Sequence, residues 1–311
     1  MNAEMLDTDV LIIGGGAAGC SAAIKAHSLG SSVLMVVKGK MGRSGATPLA
    51  SALVGPPPLK GPHFLIAPLK KLYAAAANVV SLPVPEPYKS VIRRMSNPHY
   101  GLVDQDYFLN FAIWALQKFF PALESTGIYI VRDESGRPVS PLGKNDYMLP
   151  YYIIHSHGMT GYQFGESKRK EVLTTDTVVL EEAMAFSLLQ GGKGDVIGAM
   201  VFDYKHGRLY AVRAKATILA TGHTNWLAKR STGTREMAAN GLAMAARVGA
   251  ELQNLEIQWF HASDTVSPDS WMRLHHYPNP LTATEHRAVM RNRDGEMYMK
   301  IEEYDVNMPY T

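Results

Sequence analysis

The chain has 311 residues, 46% of them hydrophobic, and a formal net charge of +3. It can bury a substantial core, and no run of like charges gives nucleic acid a footing. The single Cys20 excludes an intramolecular disulfide and any cysteine cluster for zinc or iron–sulfur ligation.

The first predicted element is a buried strand, the apolar run at residues 10–13. It leads into Gly14-x-Gly16-x-x-Gly19 and then an Ala-rich helical segment. Cys20 falls just inside this helix and reads as a small core residue. Gly30 stops the helix, and residues 32–37 form a second strand. Strand, tight turn, helix and strand is the context in which this glycine spacing marks a dinucleotide site rather than a plain turn. Gly14 permits the turn, Gly16 lets the backbone approach a pyrophosphate, and Gly19 lets the helix pack closely. The helix N-terminus at Ala17 and Ala18 offers free N–H groups and a positive dipole end to the phosphates. The acidic residue that usually ends the second strand and bonds the ribose hydroxyls is missing, because the strand ends Val37-Lys38. That absence counts against an NAD-dependent dehydrogenase.

The next loop, residues 41–52, is rich in small residues, including Ser44, Gly45, Ala46 and Thr47. It resembles the segment after the second strand in the flavoprotein subunits of fumarate reductase and succinate dehydrogenase, and in L-aspartate oxidase and the adenylylsulfate reductase flavoprotein. Some of these proteins have a Ser-Lys pair at the strand end, which Val37-Lys38 partly matches. Members that bind FAD covalently carry a His between the Ser and Thr of this loop. Gly45 stands at that place, so the resemblance implies non-covalent FAD.

From about 55 to 100 the chain is Pro-rich and reads as an irregular insertion, with a short helix over 69–77 and a solvated Lys70-Lys71 face. Helical spacing of Tyr107, Phe108, Phe111, Ala115, Phe119 and Phe120 predicts an amphipathic helix pair over 104–127. Its end, residues 123–128, resembles a helix stop of the same family, before a strand and a turn at 133–138. His155 and His157 lack a nearby Cys or acidic pair, so no metal is expected there; a loop near flavin or substrate is the better reading. Lys168-Arg169-Lys170 reads as exposed. Residues 172–173 and 177–180 are strand-like. Residues 196–203 and 209–212 read as antiparallel strands joined by a turn at 205–207, and 215–222 as a closing strand and turn. By resemblance, Thr177 and Val178 lie near the adenine. Ala220, Thr221 and Gly222 lie near the flavin diphosphate or ribityl chain.

Residues 237–263 are similar to a family pattern of T-G-D-G, an Ala-rich helix and E-F-x-Q-F-H-P-T. Asn240 stands for the Asp and keeps hydrogen-bonding capacity toward a sugar hydroxyl. Glu256 and His261 match the Glu and His, while Trp259, Ala262 and Ser263 depart from the pattern. The resemblance implies that His261 holds a substrate carboxylate and that Glu256 belongs to a proton route. Residues 292–299 resemble the family's N-x-x-G-E-R-F-M. The Arg proton donor expected shortly before it is replaced by Thr284 in an ungapped register, and Arg287 fills the role only in a shifted one. Trp271, Arg273, His275 and His276 are candidates for gripping a different anion.

The expected fold is therefore α/β, in two parts. A Rossmann-like FAD-binding domain over residues 1–255 has a parallel sheet with helices and an antiparallel insertion. The start of an α+β capping domain over 256–311, expected to be incomplete, follows it. The implied activity is that of an FAD-dependent oxidoreductase subunit passing electrons between a small anionic substrate and an iron–sulfur partner. Adenylylsulfate reductase-like chemistry, or a flavin-binding subunit without turnover, is the alternative. A partner chain that completes the flavoprotein is a further expectation. No leader precedes Thr8 and no apolar run reaches roughly 18 residues, so the chain is expected in the cytoplasm without a membrane span.

Overall fold

In the computed structural model the described residues are 2–50, 53–54, 121–130, 132, 134, 151–152, 160–228, 231, 233–256 and 293–296. In chain order the elements are β1 (Glu4–Ile13), α1 (Ala17–Ser28), β2 (Val33–Val37), β3 (Leu53–Val54), β4 (Tyr151–Tyr152) and α2 (Thr160–Leu173). They continue with β5 (Val178–Glu181), β6 (Ala183–Gln190), β7 (Val196–Asp203), β8 (Arg208–Leu219) and α3 (Asn240–Arg247). The chain divides into two compact units. The first holds β1, α1, β2, α2, β5–β8 and α3. The second holds the antiparallel β3–β4 pair and the helix end near residue 123. The predicted elements over 69–77 and 104–120, and the His155/His157 pair, lie outside the described residues.

The six-stranded sheet has the order β5-β2-β1-β8-β7-β6. β1 runs parallel to β2, with Val10 opposite Val33, because α1 carries the chain back between them. β5 extends the parallel set beyond β2, and β8 extends it beyond β1. β7 and β6 then add antiparallel, so the mixed sheet matches the expected parallel core with an antiparallel addition. β8 is one continuous strand, joining the segments read separately over 209–212 and 215–219. The β7–β8 turn is held by Asp203, whose carboxylate accepts the His206 N–H at 3.0 Å and contacts Nδ1 at 2.8 Å.

Alternation in β1 divides the core between the two faces of the sheet. Leu11 and Ile13 join Leu34, Val36, Val201, Val212 and Met244 of α3. Ile12 joins Met35, Val37, Cys20 and Ala23 of α1 and Val172 of α2. Fully burying each large side chain stabilises the fold by about 1.5–3 kcal/mol. Leu11, Ile12 and Met35 have no exposed surface. α1 ends in a Schellman motif: Gly30 N–H donates to His27 O at 2.8 Å and Ser31 N–H to Ala26 O at 3.2 Å. Residues 123–128 end a helix the same way, with Gly127 N–H on Glu124 O and Ile128 N–H on Leu123 O.

Two local readings are corrected. Val172 and Leu173 form the last turn of α2, not a strand, and Val172 is 1% exposed. Lys168 and Arg169 are not free surface charges. Lys168 pairs with Glu171 at 2.6 Å and lies 6.0 Å from the Phe164 ring centroid, and Arg169 pairs with Glu181 at 2.8 Å. No helix among the described residues is long and apolar enough to cross a membrane.

Candidate functional site

The carboxyl ends of β1, β2 and β8 open into a cavity of about 540 Å³, the place where open α/β sheets bind ligands. Its floor is built by close backbone approach. Gly14 N–H donates to Val36 O at 2.9 Å and Ala220 N–H to Ile13 O at 2.8 Å, which ties the three strand ends together. Gly14 has φ +116°, and a Cβ there would sit 2.2 Å from Ala220 O. A Cβ on Gly19 would sit 1.8 Å from Gly14 O. These two glycines draw the first turn of α1 onto the strand tips.

α1 has no side-chain cap of its own, since its N-cap is Gly16. Thr47, from the loop after β2, supplies one: its Oγ1 accepts the Ala17 N–H at 3.0 Å. The other first-turn N–H groups remain available to an anion. The loop is pinned from behind by α2. Gly161 N–H donates to Ala50 O at 2.7 Å, and the absence of a side chain at Gly165 lets the helix rest on the Gly42 carbonyl. Within the loop, Ser44 Oγ accepts the Lys40 N–H at 2.9 Å and donates to Lys40 O at 2.8 Å.

Charges brace this frame at the end of β5. Glu181 accepts the Met41 N–H at 2.9 Å and Arg169 Nη1 at 2.8 Å, with Lys40 Nζ at 3.3 Å. Burial alone would raise its carboxyl pKa; the Met41 N–H, Arg169 and Lys40 together hold it below the ordinary value. Lys40 also pairs with Glu182 at 2.6 Å. Lys38 Nζ turns the other way, donating to Asn240 Oδ1 at 3.1 Å and to the Glu236 backbone carbonyl at 3.4 Å.

The structure brings most of the sequence-selected residues to this one cavity. Gly14, Gly16, Ala17 and Ala18 line it at the α1 N-terminus, and Lys38 at the end of β2. Ser44, Gly45, Ala46 and Thr47 line it from the loop, Ala220, Thr221 and Gly222 from the end of β8, and Asn240 from α3. Gly19 lies behind this wall as a packing residue. Val178 is 55% exposed at the start of β5 and does not line the cavity; Ala183, Met184 and Ala185 at the start of β6 do. Glu256 sits on an exposed turn outside the lining. His261 and Arg287, with Trp271, Arg273, His275 and His276, lie outside the described residues.

Sequence reasoning missed His223, Glu236 and Met237, all of which line the cavity. Each adjoins a recognised motif: His223 follows Ala220-Thr221-Gly222, and Glu236 precedes Asn240 by four residues. Proximity in the chain was the only signal.

The glycine-lined backbone, the N-terminus of α1 and the run of the cavity from β2 past β1 to β8 fit an extended dinucleotide with a central diphosphate. A family model described as "FAD binding domain" matches residues 9–57 and 102–307. One subunit of the fumarate reductase (CoM/CoB) of Methanothermobacter marburgensis is 29% identical over 305 residues, which is 96% of this chain and 50% of that protein. The quinol fumarate reductase of E. coli superposes with a TM-score of 0.63 at 17% identity, covering 78% of this chain and 37% of that one. The adenylylsulfate reductase of Archaeoglobus fulgidus gives a TM-score of 0.61 at 23% identity, covering 80% and 37%. These two structural likenesses show the fold. The chain spans about half the length of the curated relatives it matches.

Proposed function

The chain belongs to the FAD binding domain family, and from that premise we propose that it is the flavin-binding part of an oxidoreductase that takes a small anionic substrate. The observation that carries this reading is the glycine-built floor at Gly14 and Gly19, beneath an α1 N-terminus aimed into the cavity. The first-turn N–H groups of α1 that Thr47 leaves free, from Ala18 onward, hold the diphosphate. Ser44, Ala46 and Thr47 close over it, Ala220–Gly222 border the ribityl side, and Lys38 with Asn240 borders the adenosine side. Bound FAD supplies the two-electron chemistry; the protein binds, orients and shields it.

Gly45 offers no side-chain nucleophile, so the flavin is held without a covalent bond. Onward electrons go to an iron–sulfur partner. Cys20 is fully buried and burial pushes its thiol up to about 11, so it is suited to packing and not to ligation. Glu256, His261 and Arg287 are the proposed groups for proton transfer and for gripping the anion. Thr284 at the place of the dicarboxylate reductases' Arg favours a second substrate class, a sulfur oxyanion as in adenylylsulfate reductase chemistry.

The visible spectrum of the purified protein tests the reading. A flavin spectrum whose chromophore is released intact as FAD on denaturation supports it. Flavin that stays with the precipitated polypeptide overturns the non-covalent assignment, and a protein that binds no FAD overturns the whole. Assays with fumarate, and with sulfite plus AMP, using an artificial electron carrier, separate the two substrate classes.

A further inference from the structure

β2 ends without the carboxylate that dinucleotide-binding folds use to fix the adenosine ribose, yet the cavity does contain one at that end. Glu236 lines it together with Lys38 and Gly39. Its Oε1 lies 3.6 Å from where a Cβ on Gly39 would stand. The segment is held in place by its backbone: Met237 N–H donates to Thr234 O at 3.1 Å, Trp226 N–H to Met237 O at 3.2 Å, and Lys38 Nζ reaches the Glu236 carbonyl. Ala239, in the left-handed region at φ 59°, then turns the chain into α3.

We propose that Glu236 supplies the carboxylate β2 lacks, accepting hydrogen bonds from the adenosine ribose hydroxyls of the bound dinucleotide. This rests on the reading of the cavity as an FAD site. Among the described residues no hydrogen bond or ion pair reaches the Glu236 carboxylate. The two nearby lysines are engaged elsewhere, Lys38 with Asn240 and Lys40 with Glu181 and Glu182. The carboxylate oxygens therefore keep their acceptor capacity for a ligand. The Tyr204 hydroxyl donates to the Lys38 carbonyl at the end of β2, and burial first, then the nearby Glu182 and Glu236 carboxylates, raise its pKa. Asn240 is the weaker acceptor there, because its amide oxygen is uncharged and already accepts one hydrogen bond from Lys38.

The test is calorimetric titration of the 311-residue chain with FAD and with the FAD analogue lacking both hydroxyls of the adenosine ribose. The wild type is expected to prefer FAD by about tenfold or more, the scale of hydrogen bonds to a charged group. In Glu236→Gln and Glu236→Ala the preference should shrink to about twofold or less. Glu182→Gln, which removes a neighbouring carboxylate engaged with Lys40, should keep it. A wild type that does not distinguish the ligands overturns the assignment without any variant, as does a preference that survives in both Glu236 variants. Failure of the wild type to bind FAD at all overturns the cavity reading itself, and so is distinct from an error about Glu236.

Discussion

Three glycines with different surroundings separate conformational strain from close approach. Gly30 has φ +81° and nothing within 4 Å of the place a Cβ would occupy, so Gly30→Ala pays only for the left-handed backbone, about 1–2 kcal/mol. Gly19 lies in α1, where Ala is the better helix former by about 1 kcal/mol. Its Cβ would nevertheless stand 1.8 Å from the Gly14 carbonyl oxygen. Backbone on both sides means that no side chain can rotate away, so α1 must lift off the strand tips. Overpacking of this kind costs about 1–3 kcal/mol or more, and here it also loosens Cys20 and Ala23 from the core. Gly14→Ala combines both terms, with φ +116° and a Cβ 2.2 Å from Ala220 O, for about 2–5 kcal/mol in all. Urea unfolding followed by circular dichroism should rank stability as wild type, then Gly30→Ala, Gly19→Ala and Gly14→Ala. FAD affinity should fall for the last two alone. If Gly19→Ala is as stable as the wild type, close packing of α1 is not what the third glycine provides, and the account of the cavity floor fails.

Thr47→Val keeps the shape of the side chain but removes the acceptor for the Ala17 N–H. A loss of about 1 kcal/mol in the FAD-free protein is expected, and an unchanged urea midpoint would show that Thr47 does not cap α1. For Glu181 the folded-state pKa lies below its ordinary value of 4.5. Its stabilisation is therefore complete above that pH and is lost as pH falls through the depressed folded value. Glu181→Gln should cost about 1–2 kcal/mol at neutral pH and flatten the acid limb of the stability–pH curve. An acid limb identical to that of the wild type would contradict the bracing role assigned to this carboxylate.

Elements with a clear period and local punctuation were legible in the sequence. The strand–Gly-turn–helix–strand unit states its own geometry, and the turn before β8 is marked by Lys205-His206-Gly207. β6 was not legible. Its sequence, Ala-Met-Ala-Phe-Ser-Leu-Leu-Gln, has little β-branching, and its strand form comes from pairing with β7, Ala183 opposite Asp203 to Gln190 opposite Val196. The end of α2 misled for the opposite reason, since Val172-Leu173 is too short an apolar run to show any period. Thr174 and Thr175 stop that helix, their hydroxyls donating to Glu171 O and Val172 O, both at 2.7 Å. In the site, neighbours of a motif were easy to find, but which residue of 177–185 reaches the cavity depends on a kink. Glu182, at φ 58°, separates β5 from β6, and the strand that follows, not Val178, meets the space. Glu236 stands just before a motif without belonging to it; its place follows from where Ala239 turns the chain.

The pairing of β1 with β8 sets a timetable for synthesis. Asp7 and Arg213, joined at 2.6 Å across these strands, are 206 residues apart in sequence. At about 5–20 residues per second, β1 leaves the ribosome roughly ten to forty seconds before the strand that covers its open edge. During that interval β1 can pair with β2 but not with β8, and its other edge is free to recruit a strand from another chain. A chaperone that holds the nascent β1–α1–β2 unit should raise the yield of folded protein more than one acting after release.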